Sequence, residues 1–358
     1  MFDVYPEKYP ELLATKVTKL QDLFNNWPTP KMDVLESPPK HFRMRAEFRI
    51  WHTKEKINYV MFSKDDKREP IVLNDFPRAH EAISDLMQPL LSIIEKDEVL
   101  KTRLFQIDFL CSLSGDTLVT LIYHKKLTDE WLEKAKNLEK SFSIKLIGRA
   151  RKQKETLSED YILEKLTVNG RQITYQQVEN SFTQPNAVIC EKMLDWAVSN
   201  TRDCGGDLLE LYCGNGNFTL ALAQNFNHVL ATEVSKTSVR SALFNIALNN
   251  IKNIDLIRMS SEEITQALNK EREFRRLANI QLEKYQFSTL FVDPPRAGLD
   301  EQTVKLANQF ENIIYISCNP HSLMENLKQL QGYKIEKLAL FDQFPYTDHV
   351  ECGVVLKK

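Results

Sequence analysis

Cys318 stands in the run Ile313-Ile-Tyr-Ile-Ser-Cys-Asn-Pro320, directly after an apolar stretch of strand type. That place belongs to the edge of a sheet, and a thiolate is strongly nucleophilic even when only a small fraction is ionised. A second run, Phe291-Val-Asp-Pro-Pro-Arg296, puts Asp293 at the carboxyl end of another strand, ahead of two prolines that stiffen the loop without donating N–H groups. An aromatic residue after Asp-Pro-Pro would suggest methylation of an exocyclic amine, its ring stacked on the target base. Arg296 stands there instead, so amine chemistry becomes the second choice, and a nearby arginine favours the thiolate. His349-Val-Glu351 offers Glu351 as a general base; locally it reads equally well as a surface carboxylate on a late strand.

The segment 207–218 (DLLELYCGNGNF) closes a strand and opens a helix, with Gly214 and Gly216 allowing a tight turn and a close ligand. A dinucleotide fingerprint needs a third glycine, where this chain has Thr219. Asn215 and Asn217 bring polar side chains suited to an amino-acid moiety rather than a diphosphate. Glu233 ends the next strand, at about the 20-residue separation from which an acid meets ribose hydroxyls.

These groups need a scaffold that gathers strand ends. After residue 180, strand runs at 207–213, 228–234, 254–259, 288–293 and 313–317 alternate with helical segments, predicting a doubly wound, mostly parallel α/β sheet of Rossmann-like type. Ligands of such sheets bind outside the carboxyl ends of the strands, so one crevice can collect Tyr212 to Asn217, Glu233, Asp293 and Cys318. Ser235 caps a helix over 235–250 whose residues Val239, Ala242, Leu243, Ile246 and Ala247 predict a buried face. The charged segment 262–286 reads as a solvated helical excursion. Before residue 180 the rhythm is that of hairpins. Phe42, Met44, Ala46, Phe48 and Ile50 alternate with Arg43, Arg45, Glu47, Arg49 and Trp51, and runs at 104–113 and 116–125 meet through Ser114-Gly115. With a further strand at 143–150 and helices at 10–24 and 129–141, this half reads as an α+β domain on an antiparallel sheet. Two domains, 1–175 and 176–358, follow.

The 358 residues are 42% hydrophobic and 27% charged, an ordinary globular composition. No apolar run reaches the ~20 residues of a membrane span, and Met1–Glu7 lacks the features of a leader, so the expected place is the cytoplasm. Six scattered cysteines form neither a disulfide framework nor a zinc or iron–sulfur pattern. The net charge of −2 gives no global basic field, so any nucleic-acid affinity must be local.

The runs at 175–186 (YQQVENSFTQPN), 209–218 (LELYCGNGNF), 292–296 (VDPPR), 316–320 (ISCNP) and 342–353 (DQFPYTDHVECG) together resemble the RNA uridine-5 methyltransferases. The runs at 42–52 (FRMRAEFRIWH) and 123–126 (YHKK) narrow the resemblance to the tRNA (uracil-5-)-methyltransferase type. It implies that Cys318 is the nucleophile, that Glu351 is the proton acceptor, and that Gln184, Tyr212, Asn217, Glu233 and Asp293 line an S-adenosylmethionine site. It implies a last strand running antiparallel, which would bring Glu351 opposite Cys318, and the T-arm of tRNA as partner, with U54 converted to 5-methyluridine. Neither a metal, an iron–sulfur cluster nor an obligate protein partner is expected. Carbon 5 of uracil is a poor nucleophile until a thiolate adds to carbon 6, which is the chemistry a cysteine and a carboxylate can share. RNA contacts are expected from Arg43, Arg45 and Arg49 with Trp51, from the basic run 145–154, and from Phe105 and Gln106. The rival readings are a ribosomal-RNA uridine or a cytosine-5 enzyme, a tRNA-folding chaperone with secondary catalysis, and a nicotinamide oxidoreductase.

Overall fold

The computed structural model describes residues 4–54, 56–62 and 69–358; Met1–Asp3, part of the segment weighed for a leader, lie outside it. The chain opens with helix α1 (Tyr9–Leu23) and a short strand β1 (Asp33–Leu35). It then builds a sheet from β2 (Arg45–His52), β3 (Ile57–Phe62) and β4 (Pro70–Leu73). Helices α2 (Glu81–Lys96) and α3 (Glu98–Lys101) lead into β5 (Leu104–Cys111) and β6 (Thr117–Tyr123). Helix α4 (Asp129–Phe142) precedes β7 (Lys145–Ala150) and β8 (Gln153–Thr156). The described strands pair in the order β4-β3-β2-β5-β6-β7-β8, antiparallel except between β6 and β7. Phe42, Met44, Ala46, Phe48 and Ile50 are all buried, as their alternation predicts. Phe48 packs edge-on against Tyr59, Phe76 and Phe109.

A hairpin of β9 (Tyr161–Val168) and β10 (Arg171–Val178) leads into α5 (Ala187–Ser199), whose first turn is capped by Asn186. The second large sheet follows. Its elements are β11 (Asp207–Leu211), α6 (Asn217–Leu222), β12 (Val229–Thr232), α7 (Lys236–Leu248), β13 (Ile254–Ile257) and α8 (Ser261–Leu268). The chain ends through β14 (Phe287–Val292), α9 (Glu301–Ala307), β15 (Asn312–Ser317), α10 (Pro320–Leu327), β16 (Lys334–Phe341) and β17 (Glu351–Lys357). The order is β1-β16-β17-β15-β14-β11-β12-β13, with β17 antiparallel to both neighbours and the other pairs parallel. This is a doubly wound, Rossmann-like sheet. Its order reverses direction at β11 and β14, and a crevice opens there at the carboxyl ends. Strand β1, from the first half of the sequence, pairs with β16, so the chain's beginning sits in the second sheet.

Two expectations need correction. The buried face of α7 is Ser241, Ala242 and Asn245, while Leu243 is 50% exposed. Segment 262–286 is helical only at its start, in α8, and continues as irregular chain with two single 3-10 turns.

Candidate functional site

A cavity of about 760 Å³ lies over the reversal point and is lined by Gln184, Tyr212, Asn217, Glu233 and Asp293. Tyr212 leaves β11 in the left-handed region (φ 60°), and its hydroxyl donates to Ser261 Oγ at 2.8 Å. Gly216, at φ 83°, starts α6 where an added Cβ would come within 2.7 Å of Leu220 Cδ1. The Glu233 carboxylate accepts from Gly214 N at 3.1 Å and from Ser235 N at 2.7 Å, tying the glycine loop to the end of β12. Asn217 heads α6 with its amide 3.4 Å from Cys190 Sγ, and its carbonyl accepts from the Tyr175 hydroxyl at 2.9 Å. Gln184 Oε1 accepts from Gln343 Nε2 at 3.2 Å.

Sequence reasoning missed Glu210 and Glu164, which line the same cavity. Both are buried, and Glu210 Oε2, Glu164 Oε2 and Gln177 Oε1 have no hydrogen-bond partner among the described residues. Burial first, then the charge of Asp293, pushes the Glu210 carboxyl up to about 8. The available signal was an acid inside an otherwise apolar parallel strand, where an unpaired charge is rarely tolerated without a use. Of the basic groups around this cavity, Arg149 and Lys154 are already bound to Glu179. Acids therefore prevail, and the cavity suits a ligand carrying positive charge. S-adenosylmethionine, with its ammonium and sulfonium groups, fits that requirement.

Cys318 opens onto a neighbouring cavity of about 570 Å³, lined also by Lys19, Arg296, His321, Asp348 and His349. The antiparallel register pairs Ser317 with Cys352, so the next residue on β15's side, Cys318, meets Glu351 at the start of β17. Glu351 is buried, and burial together with Asp293 raises its carboxyl above the usual range; burial raises that of Asp293. The Cys318 thiol is itself pushed up, by burial first, then by Glu351 and Asp293, with Arg296 opposing more weakly. Arg296 therefore does not tip this thiol toward thiolate by itself, because two carboxyl groups outweigh it. Asp293 lines the first cavity and interacts electrostatically with both Cys318 and Glu351.

On the first sheet, the Arg49 guanidinium lies 3.9 Å from the Phe105 ring centroid, and Phe105 stacks on His124 at 4.0 Å. Trp51 is 43% exposed beside them. Arg45 is engaged internally, donating to Ser181 O at 2.9 Å, and Gln106 donates to Asp108 at 2.7 Å. The run 145–154 is less available than its composition suggests. Lys145 pairs with Asp116 and Glu159, Arg149 with Glu179, and Lys154 with Asp160 and Glu179.

A model of the family described as tRNA (Uracil-5-)-methyltransferase matches residues 8–358. The chain is 56% identical over 351 residues to the tRNA/tmRNA (uracil-C(5))-methyltransferase of Cellvibrio japonicus (strain Ueda107), covering 98% of this chain and 96% of that one. It is 53% identical over 364 residues to the tRNA/tmRNA (uracil-C(5))-methyltransferase of Vibrio vulnificus (strain CMCP6), covering 99% and 98%. Its fold matches that of the Pyrococcus abyssi tRNA (uracil-54, C5)-methyltransferase in complex with S-adenosyl-L-homocysteine, with a TM-score of 0.73 at 22% identity, covering 97% of this chain and 83% of that one. No helix among the described residues is long and apolar enough to cross a membrane. The chain belongs to the tRNA (uracil-5-)-methyltransferase family.

Proposed function

We propose that this enzyme transfers the methyl group of S-adenosylmethionine to carbon 5 of a uridine in the T-arm of tRNA, at U54, through a covalent Cys318 adduct, in the cytoplasm. The observation that carries the reading is the β15/β17 register, which sets Cys318 against Glu351, with Asp293 in electrostatic reach of both and on the wall of the acidic cavity. The names of the Cellvibrio and Vibrio relatives support uracil carbon 5 and a tRNA or tmRNA substrate. Free cysteines are at home in a reducing compartment.

Gln184, Tyr212, Asn217, Glu233 and Asp293 would hold the cofactor, Glu233 by accepting from the ribose hydroxyls. The buried, unpartnered Glu210 and Glu164 oxygens offer acceptors for its ammonium. Bound there, S-adenosylmethionine supplies an electrophilic methyl group. The target base must first be turned out of its stack to enter the Cys318 cavity. Once its proton is lost to solvent, the Cys318 sulfur bonds as thiolate to carbon 6, the electron pair displaced from the 5,6 double bond makes carbon 5 the nucleophile, and carbon 5 takes the methyl, leaving S-adenosylhomocysteine. Glu351 removes the proton left on carbon 5, the double bond re-forms, and the sulfur–carbon 6 bond breaks. The stacked Arg49, Phe105 and His124 with exposed Trp51 form a platform for splayed RNA bases.

The test is methyl transfer from labelled cofactor to an unmodified tRNA transcript and to one with U54 changed to cytidine. Label on the first alone, recovered as 5-methyluridine, is expected and is lost in Cys318→Ala. Label on both transcripts would overturn the U54 assignment, and turnover by Cys318→Ala would overturn the covalent route.

A further inference from the structure

Gln184, on the wall of the acidic cavity, is held one way round by a residue from a distant segment. The backbone N–H of Asn186 can only donate, and it donates to Gln343 Oε1 at 3.2 Å. That bond fixes which end of the Gln343 amide is the oxygen. The other end, Nε2, then meets two acceptors: Met193 Sδ at 3.1 Å, a thioether with no proton to give, and Gln184 Oε1 at 3.2 Å. Gln343 is buried, so water does not stand in for either bond. With its oxygen spent on Gln343, Gln184 keeps Nε2, a donor, as the end available to the cavity.

A cavity lined with acids needs such a donor. S-adenosylmethionine carries a carboxylate beside its ammonium, and Glu164, Glu210, Glu233 and Asp293 on the walls disfavour a further negative group. The other donors are committed or remote. Arg149 and Lys154 are bound to Glu179, Asn215 Nδ2 donates to Gln176 O at 3.3 Å, and Arg240 is exposed on the helix that follows Glu233. Helix α5 opens just after Gln184 and brings Ala187 and Cys190 to the same cavity. The first N–H groups of a helix lack partners within it, and its positive end favours a negative group. Gln184 and the head of α5 thus offer a carboxylate one place among the acids.

We propose that Gln343 is a positioning residue for the cofactor: it locks the Gln184 amide with Nε2 toward the cavity, where Nε2 donates to the carboxylate of S-adenosylmethionine. The proposal rests on the cofactor reading above.

Gln343→Glu keeps an acceptor for Asn186 N but puts an oxygen where Gln184 Oε1 meets a donor. Gln184 should then reverse, giving Nε2 to the new carboxylate and turning Oε1 to the cavity. Calorimetry compares two probes, S-adenosylmethionine and its decarboxylated analogue, which keeps both cations. In Gln343→Glu the Kd of S-adenosylmethionine should rise roughly tenfold or more, as when a hydrogen bond to a charged group is lost. The Kd of the analogue should hold or fall, so the preference for the carboxylated probe shrinks. Gln184→Met should lose the same preference, and adding Gln343→Glu to it should change the preference little further, because the lock has nothing left to turn. A wild-type preference in Gln343→Glu would overturn the proposal. So would an equally large loss on top of Gln184→Met, which would mean that the new charge acts on the ligand directly. Equal weakening of both probes with a lowered melting temperature would also overturn it and leave Gln343 a structural residue. If Gln343→Glu does not fold, Gln343→Met serves: it frees Gln184 without adding charge and should lower the preference part-way, and a wild-type preference would overturn the lock. Wild-type protein that binds neither probe would remove the cofactor reading and the proposal with it, whereas an unchanged preference in variants that bind both probes removes the lock alone.

Discussion

The thiol at the centre of the proposed reaction is held in its protonated form by its own neighbours. Burial raises Cys318 above the usual thiol range, and Glu351 and Asp293 raise it further. The thiolate is the reactive form, so its fraction grows as pH rises, and a raised pKa moves that growth to higher pH. Removing the Glu351 charge should reverse part of the shift. In the cofactor-free protein, the alkylation rate of Cys318 plotted against pH should therefore have its midpoint at lower pH in Glu351→Gln than in wild type. A midpoint that stays put or rises would show that Glu351 does not bear on the thiol. Mass spectrometry separates Cys318 from Cys111, Cys190, Cys213 and Cys352, which are buried. The same variant, given cofactor and tRNA, should accumulate protein joined to RNA under denaturing conditions, and its absence with retained turnover would remove Glu351 as the base. Glu210 makes a second pH argument. Its folded carboxyl, at about 8, lies above its unfolded value, so its neutral form supports the fold at low pH and that support is lost as pH rises through 8. Glu210→Gln should melt above wild type by a margin that widens from pH 6 to pH 9; a margin independent of pH would contradict the burial argument.

Among the elements, β17 carries Glu351, and its position depends on Gly353. A Cβ there would meet Phe341 Cε2 at 2.8 Å, Ile316 Cδ1 at 2.9 Å and Trp196 Cζ3 at 3.1 Å. Gly353→Ala should cost about 1–3 kcal/mol, the usual penalty for overfilling a core. It should also slow methyl transfer, because Glu351 is two residues away on the same strand. A variant with wild-type melting and rate would show that the strand has room the geometry denies it. The strands and their ends were legible because apolar runs and hairpin alternation are local properties of the chain. The direction of β17 was not local, and came only with the family resemblance. Helix α7 shows why periodicity can mislead. Its inward face is polar, with Asn245 accepting from Gln176 N at 2.7 Å, Ser241 donating to Gln176 O at 2.9 Å and Asn249 donating to Thr174 O at 2.7 Å. Hydrogen bonds to the β10 backbone, not apolar packing, decide which side faces inward. Glu210 and Glu164 stayed hidden for a related reason, since the cavity that they line is assembled from distant segments.

Across the molecule, the N-terminal segment acts as a brace for the end of the chain. Lys16 on α1 donates to Asp342 Oδ1 at 2.7 Å and to Phe344 O at 2.8 Å, and both Lys16 and Asp342 are buried. Gln343, next in sequence, accepts from Asn186 N and donates to Gln184, while Asn186 Nδ2 donates to Ser37 Oγ. One network therefore ties α1 and the segment around β1 to the loops beside both cavities. Asp342 Oδ2 already lacks a partner among the described residues, so losing Lys16 would leave a buried carboxylate without its cation. Lys16→Met should then destabilise the protein by about 3–5 kcal/mol, as breaking one side of a buried pair does. Adding Asp342→Asn should restore part of the loss, because the uncompensated charge is gone. If the network also positions the β16–β17 loop, kcat for methyl transfer should fall in Lys16→Met at temperatures where the variant remains folded, and recover in the double variant with its stability. Equal stability of the single and double variants would mean that the pair is not coupled. A restored fold with an unrestored kcat would mean that Lys16 acts on the loop through its bond to the Phe344 carbonyl, which the double variant still lacks.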